Sequence, residues 1–132
     1  MTLTNDIPVL IVDDQAAFRS AARTVTMIAT GFTVSAEAES GEQAIELVEG
    51  GGFNSGIVLM DINLGGITGI EATRLITRGR PDLVVILMST YTVEDLPSDA
   101  GDCGAATYVH KEDLGPDVLS EAWANHLAAG PS

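Results

Sequence analysis

The chain has 132 residues and is 45% hydrophobic, which suits one ordinary domain with a real core and leaves no room for two. Its 19 acidic and 6 basic residues give a formal charge of −13, which repels nucleic acid and anionic membranes and argues against direct binding to either. Cys103 is the only cysteine, so an intramolecular disulfide and a thiolate metal cluster are excluded. The apolar run Ile7 to Val12 is too short for a signal or a membrane span, and the cytoplasm is the expected compartment.

Val9-Leu10-Ile11-Val12 reads as a buried parallel strand that ends in Asp13-Asp14. From Phe18, the apolar residues Ala21, Ala22, Val25 and Ile28 have helical spacing and predict one buried stripe. Arg19 and Arg23 lie one turn apart on another part of that helix, and Gly31 is expected to end it. Phe32 to Ala36 alternates weakly, as an edge strand does. Ser40-Gly41-Glu42-Gln43 has the spacing of a capping box and opens a helix through Ala44, Ile45, Leu47 and Val48, which Gly50-Gly51-Gly52 stops.

Ile57-Val58-Leu59-Met60 reads as a strand covered on both faces, with Asp61 at its lip and a glycine-rich turn behind it. Thr68 and Glu71 repeat the capping-box spacing ahead of a helix with Ile70, Leu75 and Ile76, which Pro81 terminates. Leu83 to Met88 is the most apolar run in the chain and belongs in mid-sheet, with Ser89-Thr90 at its end. Thr92 to Ala100 predicts a weak helix, because Pro97 falls inside it. Ala106 to Val109 is a last short strand that ends at His110-Lys111. Gly115-Pro116 then places proline at the start of a closing helix, where Leu119, Trp123 and Leu127 recur every four residues. Met27, Met60 and Met88 sit in apolar runs and read as core, while His110 and His126 lack partners at metal-ligand spacing.

The expected fold class is α/β: a doubly wound, five-stranded parallel sheet with five helices distributed over both faces. In such a sheet the C-terminal strand ends share one edge, where ligands bind. Asp13-Asp14, Asp61, Ser89-Thr90 and Lys111 all fall at such ends. Carboxylates gathered there repel one another, and Mg²⁺ with hard oxygen ligands would relieve the conflict. Asp61 could then attack phosphorus as a nucleophile, while Ser89 and Lys111 offer a hydroxyl and a positive charge to phosphoryl oxygens. Lys111 is the only lysine in the chain, which makes its place at a strand end more telling.

The ordered set Asp13-Asp14, Asp61, Ser89 and Lys111 resembles the receiver domain of two-component response regulators, over about Pro8 to Leu127. Arg19, Gly41 to Leu47 and Gly69 to Ala72 look most like the LuxR-type subgroup. The resemblance implies a flavodoxin-like strand order, 2-1-3-4-5, and a single receiver domain over 1–132 with no output domain in it. It implies that Asp61 is phosphorylated by the phosphohistidine of a partner sensor histidine kinase. Asp14, Asp61 and the backbone carbonyl of Asn63 would bind Mg²⁺ directly, and Asp13 through water. Ser89 would move toward the phosphoryl group, Lys111 would pair with it, and Tyr108 would be an aromatic switch that swings inward.

Output would pass through the face of the fourth helix, fifth strand and fifth helix to a downstream protein or separate domain, and a homodimer is conceivable on the same elements. Several residues depart from the family pattern. Gly65 stands where proline is usual and predicts a more mobile loop, Thr107 replaces a frequent glycine, and Glu112 replaces a proline after the lysine. Tyr91 is bulky where attacking water can enter, and is expected to slow loss of the phosphoryl group. Two other readings compete. A phosphohydrolase of the haloacid dehalogenase type would need an Asp-x-Asp motif on the first strand, and Asp61-Ile62-Asn63 is neither. A degenerate receiver that binds partners without phosphorylation fits poorly with the retained acids, Ser89 and Lys111.

Overall fold

Alternation along the strands sorts the core into two layers. Leu10, Val12, Val58, Met60, Val85 and Leu87 face one side of the sheet, and Val9, Ile11, Ile57, Leu59, Val84, Ile86 and Met88 face the other. The structure, a computed structural model, describes residues 6–90 and 96–129. In chain order these form β1 (Ile7–Val12), α1 (Ala16–Ile28), β2 (Phe32–Ala38), α2 (Gly41–Glu49), β3 (Gly56–Asp61), α3 (Gly69–Thr77), β4 (Leu83–Ser89), β5 (Thr107–His110) and α4 (Pro116–Ala129). All pairings are parallel, in the order β2-β1-β3-β4-β5. The expected five-stranded parallel sheet and its strand order are the observed ones.

Helices α2 and α3 cover the first layer through Ala44, Val48, Ile70, Ala72 and Ile76, and α1 and α4 cover the second through Ala22, Ala29, Leu119 and Ala122. Every residue of β3 and β4 is buried, which is why both read as unbroken apolar runs rather than alternating ones. Truncating Leu59 or Ile86 to alanine would remove about 2–5 kcal/mol of stability.

Both capping signals operate. Ser40 Oγ accepts the Gln43 N–H at 3.1 Å, and Gln43 Oε1 accepts the Glu39 N–H at 2.6 Å. Thr68 Oγ1 accepts the Glu71 N–H at 3.1 Å. Pro116 opens α4, where its missing N–H has no carbonyl to serve.

Three expectations are corrected. Four α-helices, not five, occur among the described residues. Residues 91–95 lie outside them, and the rest of the expected fourth helix contains a short 3₁₀ turn, Ser98–Asp102, entered from Pro97. A proline without an N–H followed by Ser98, Asp99 and Gly101 favours such a turn over an α-helix. Met27 and Ile28 are not core: they are 76% and 64% exposed. The buried stripe of α1 runs through Ala22, Thr26 and Ala29, with the helix ending at Ile28 ahead of Gly31. Leu127 is likewise 63% exposed, because steps of four residues drift round a helix by about 80° in two steps, and the inward stripe of α4 passes through Ala122 and Trp123 instead. Met60 and Met88 are fully buried.

Candidate functional site

The chain leaves β1 toward β2 on one side and returns to β3 on the other, so the ends of β1 and β3 frame the switch point of the sheet. Val12 pairs with Met60, and the next residue on each strand is an aspartate. Asp13 is fully buried and held all round. Its N–H donates to Ala38 O at 3.1 Å, Oδ1 accepts the Gln15 N–H at 2.8 Å, and its carbonyl accepts from Arg19 Nη1 at 2.7 Å. Oδ2 lies 2.8 Å from Lys111 Nζ.

Asp61 is buried too, at 3% exposure, but its contacts are longer. Oδ1 accepts the Asn63 N–H at 3.3 Å and Oδ2 lies 3.5 Å from Lys111 Nζ. Burial, and then the charge of Asp13, push the Asp61 carboxyl up from 3.8 to about 6, against the pull of Lys111 and the Asn63 N–H. Asp14 is exposed at the mouth. One oxygen from each of Asp13, Asp14 and Asp61 falls within 4.8 Å of the others.

This donor set fits Mg²⁺: three carboxylates of hard oxygen, one facing solvent, and an enclosed Asp13 Oδ2 that accepts no hydrogen bond among the described residues.

Lys111 opens a 3₁₀ turn, Lys111–Asp113, directly after β5. Its ammonium sits 4.4 Å from the centroid of the Phe18 ring on α1, a cation–π contact that adds about 0.5–1 kcal/mol. The preceding His110 fixes the turn. Nδ1 accepts the Glu112 N–H at 3.2 Å, so Nε2 carries the proton and donates to Thr90 O at 2.9 Å. The Lys111–Glu112 peptide is trans. Ser89 ends β4, fully buried, one residue beyond the Met88 that pairs with Asp61. Tyr108, half-buried on β5, points its hydroxyl at Ser89 O, 3.5 Å away, and burial raises its phenol. Asn63 is exposed with its N–H turned to Asp61. Tyr91 lies outside the described residues.

Five supporting residues were not evident as such in the sequence: Gln15, Phe18, Arg19, Glu42 and Gly69. Gly69 N–H donates to Ile62 O at 2.9 Å, and a Cβ at Gly69 would overlap the carbonyl oxygen of Asp61, so only glycine lets α3 start this close to the strand end. Gly66 has φ +84°, and Glu42 of α2 sits over it, with Oε2 accepting the Ile67 N–H at 3.3 Å. Gly65 has open space in place of a side chain and no positive φ. Its backbone geometry does not call for glycine. Spacing alone could not reveal the contacts of Phe18, Arg19 and Glu42, because each joins residues far apart on different elements or loops.

The family model described as the response regulator receiver domain matches residues 9–123. The transcriptional regulatory protein DegU of Brevibacillus brevis is 36% identical over 118 residues, covering 89% of this chain and 49% of that protein. The response regulator UvrY of Escherichia coli is 35% identical over 114 residues, covering 86% of this chain and 51% of its own. The chain thus spans about half the length of these curated relatives. A solved two-component response regulator of the LuxR family from Aurantimonas sp. superposes with a TM-score of 0.77 at 29% identity, over 94% of this chain and 86% of that one. With its sheet order, its acidic edge and these likenesses in agreement, the chain belongs to the receiver domain family of two-component response regulators, among neighbours of the LuxR type.

Proposed function

We propose that Asp61 accepts a phosphoryl group from the phosphohistidine of a partner sensor kinase, and that the charge gained there switches the conformation read by an output partner. The observation that carries this reading is the convergence of Asp13, Asp14 and Asp61 within 4.8 Å, with Lys111 Nζ in reach of two of them. In the transfer, an Asp61 carboxylate oxygen forms a bond to phosphorus as the histidine N–P bond breaks, and the imidazole leaves with the electron pair. Mg²⁺, held by Asp14, Asp61 and the Asn63 carbonyl with Asp13 acting through water, would neutralise charge on the phosphoryl oxygens.

Lys111 is shared between Asp13 and Asp61 in this structure and can transfer its pairing to the new phosphoryl oxygens. The Ser89 hydroxyl follows as a hydrogen-bond donor. That movement loosens the Tyr108 contact with Ser89 O and lets the ring swing inward, biasing a two-state element near β5. A groove of about 610 Å³ between β5 and α4, lined by Thr107, Tyr108, Val118, Ala122 and His126, offers the output partner a seat on the same face. Tyr91 is assigned the restraint of hydrolytic water.

The domain is a signalling element that assists its own modification, with no turnover of small molecules. Among the described residues no helix is long and apolar enough to cross a membrane, and we assign it to the cytoplasm. The test is incubation with acetyl phosphate and Mg²⁺ followed by intact mass. One phosphate adduct is expected, absent in Asp61→Asn. No adduct with any donor would favour a module that binds without phosphorylation, and steady turnover of a phosphate ester would favour a phosphohydrolase.

A further inference from the structure

One carboxylate that lines the pocket is held by nothing among the described residues. Asp14 has no hydrogen bond or ion pair among the described residues, so only its backbone sets where it stands. That backbone is held on both sides of Asp13. The Asp13 N–H is tied to β2 through Ala38 O at 3.1 Å, and the Asp13 carbonyl, which belongs to the peptide leading into Asp14, takes a 2.7 Å hydrogen bond from Arg19 Nη1. The guanidinium is itself fixed, with a side-chain exposure of 16% and Nε 3.5 Å from Glu37 Oε1 on β2. Glu37 in turn takes a two-pronged contact from Arg23, at 2.8 and 3.2 Å. The rigid fork of arginine suits this bridge, since one nitrogen serves the carbonyl and another the carboxylate.

We infer that Arg19 is a positioning residue for the cation site: it clamps the Asp13–Asp14 peptide to β2, so that Asp14 meets Asp13 and Asp61 in a ready-made arrangement. Arg19 touches neither the reacting atoms nor the carboxylate oxygens of the pocket. It acts through the backbone. The inference rests on the proposed reading of the pocket as a Mg²⁺ site. Groups that orient a metal's ligands change its affinity by about 10–100-fold when removed, and an effect near the lower end is expected for a single carbonyl contact.

The experiment is isothermal titration of the unphosphorylated chain with Mg²⁺, alongside thermal melting without metal, for Arg19→Ala, Arg19→Lys and Arg23→Ala. Arg19→Ala should weaken Mg²⁺ binding about tenfold. Arg19→Lys should recover little of this, because one ammonium cannot span both anchors, and it keeps the charge should the alanine variant fail to fold. Arg23→Ala, which breaks the shorter contact to Glu37 but never touches Asp13, should bind Mg²⁺ like the wild type. Phosphorylation by acetyl phosphate should show the same split, with the half-saturating Mg²⁺ raised in Arg19→Ala and the maximal rate kept. Mg²⁺ affinity within twofold of wild type in Arg19→Ala overturns the inference. So does an equal loss in Arg23→Ala, which would mark a general weakening of the α1–β2 contact. If the wild type takes up no Mg²⁺ at all, the reading of the pocket fails and this inference with it. If the wild type binds and Arg19→Ala binds equally well, the inference alone fails.

Discussion

Asp13 and Asp61 stand at the same register on neighbouring strands, both buried, yet they are held very differently. Asp13 has partners at 2.7 to 3.1 Å on its N–H, its carbonyl and both carboxylate oxygens. Asp61 has an N–H at 3.3 Å and an ammonium at 3.5 Å. A carboxylate whose backbone and one oxygen are tied by short hydrogen bonds is fixed in place, which suits a structural role. One with long contacts and a raised pKa keeps its electron density for an incoming electrophile. The difference supports the proposed division of roles, with Asp13 as the organiser and Asp61 as the phosphoacceptor.

The sharpest way to break this comparison is to swap the reactive member for its neutral isostere. Asp61→Asn should lose the phosphate adduct entirely, whereas a protein that still gained an adduct would transfer the role to a neighbour. The same variant should be more stable than wild type at pH 8. Burial raises the folded pKa of Asp61 to about 6, above the unfolded value, so its contribution is fully favourable only below about 4 and is lost as pH rises through 6. Replacing the charge removes that penalty, about 1 kcal/mol after allowance for solvent screening, and denaturation midpoints for the two proteins should converge only below about pH 4.

Lys111→Met tests the shared cation. It leaves a fully buried Asp13 without its ion pair and should cost about 3 kcal/mol in denaturant unfolding at pH 7. Lys111 also pulls the Asp61 carboxyl down, so in the metal-free variant carbon NMR should place the Asp61 titration above the wild-type midpoint. A midpoint that fell or stayed put would mean that Lys111 serves Asp13 alone.

Gly69→Ala disturbs the Asp61 side without changing any charge. Its new Cβ must displace the Asp61 carbonyl, and about 2–3 kcal/mol of stability should go with it, together with most of the phosphorylation rate. Gly65→Ala, in open space a few residues away, should change stability by less than about 0.5 kcal/mol in the same unfolding assay. Smallest of all is Glu42→Ala. The Ile67 N–H contact is solvent-exposed and 3.3 Å long, so about 0.5 kcal/mol is expected, and Glu42→Gln should restore it by keeping an acceptor oxygen.

Much of this site could be read in the sequence because the sheet does the gathering. Four apolar runs that end in polar residues are enough to place Asp13-Asp14, Asp61, Ser89 and Lys111 on one edge once the strands are parallel. What the sequence could not convey is which of two adjacent carboxylates is tied down, since Lys111 and Arg19 reach Asp13 through geometry that no spacing encodes. Gly69 stood in a subgroup-like motif, but its reason is a backbone approach from the preceding strand. The surface was misread where polarity is a poor guide. Met27, Ile28 and Leu127 are apolar residues on helices whose inward stripe is filled by Ala22, Thr26, Ala29 and Ala122. Small residues in that stripe bring helix and sheet close together, and periodicity counts large residues more readily than small ones.

The hydrogen bond from Gly69 N–H to Ile62 O has a consequence for how this molecule can vary. It closes the segment between them into a loop with a fixed neck, and Asp61 stands just outside the neck. Extra residues inside such a loop add only a small closure entropy, since that entropy grows with the logarithm of length. Insertions between Asn63 and Thr68 would therefore be absorbed at the rim, where Glu42 rests on Gly66 and Ile67, and would leave the Asp61 carboxylate where it is. The rim can vary in length while the carboxylate beneath the neck keeps its place.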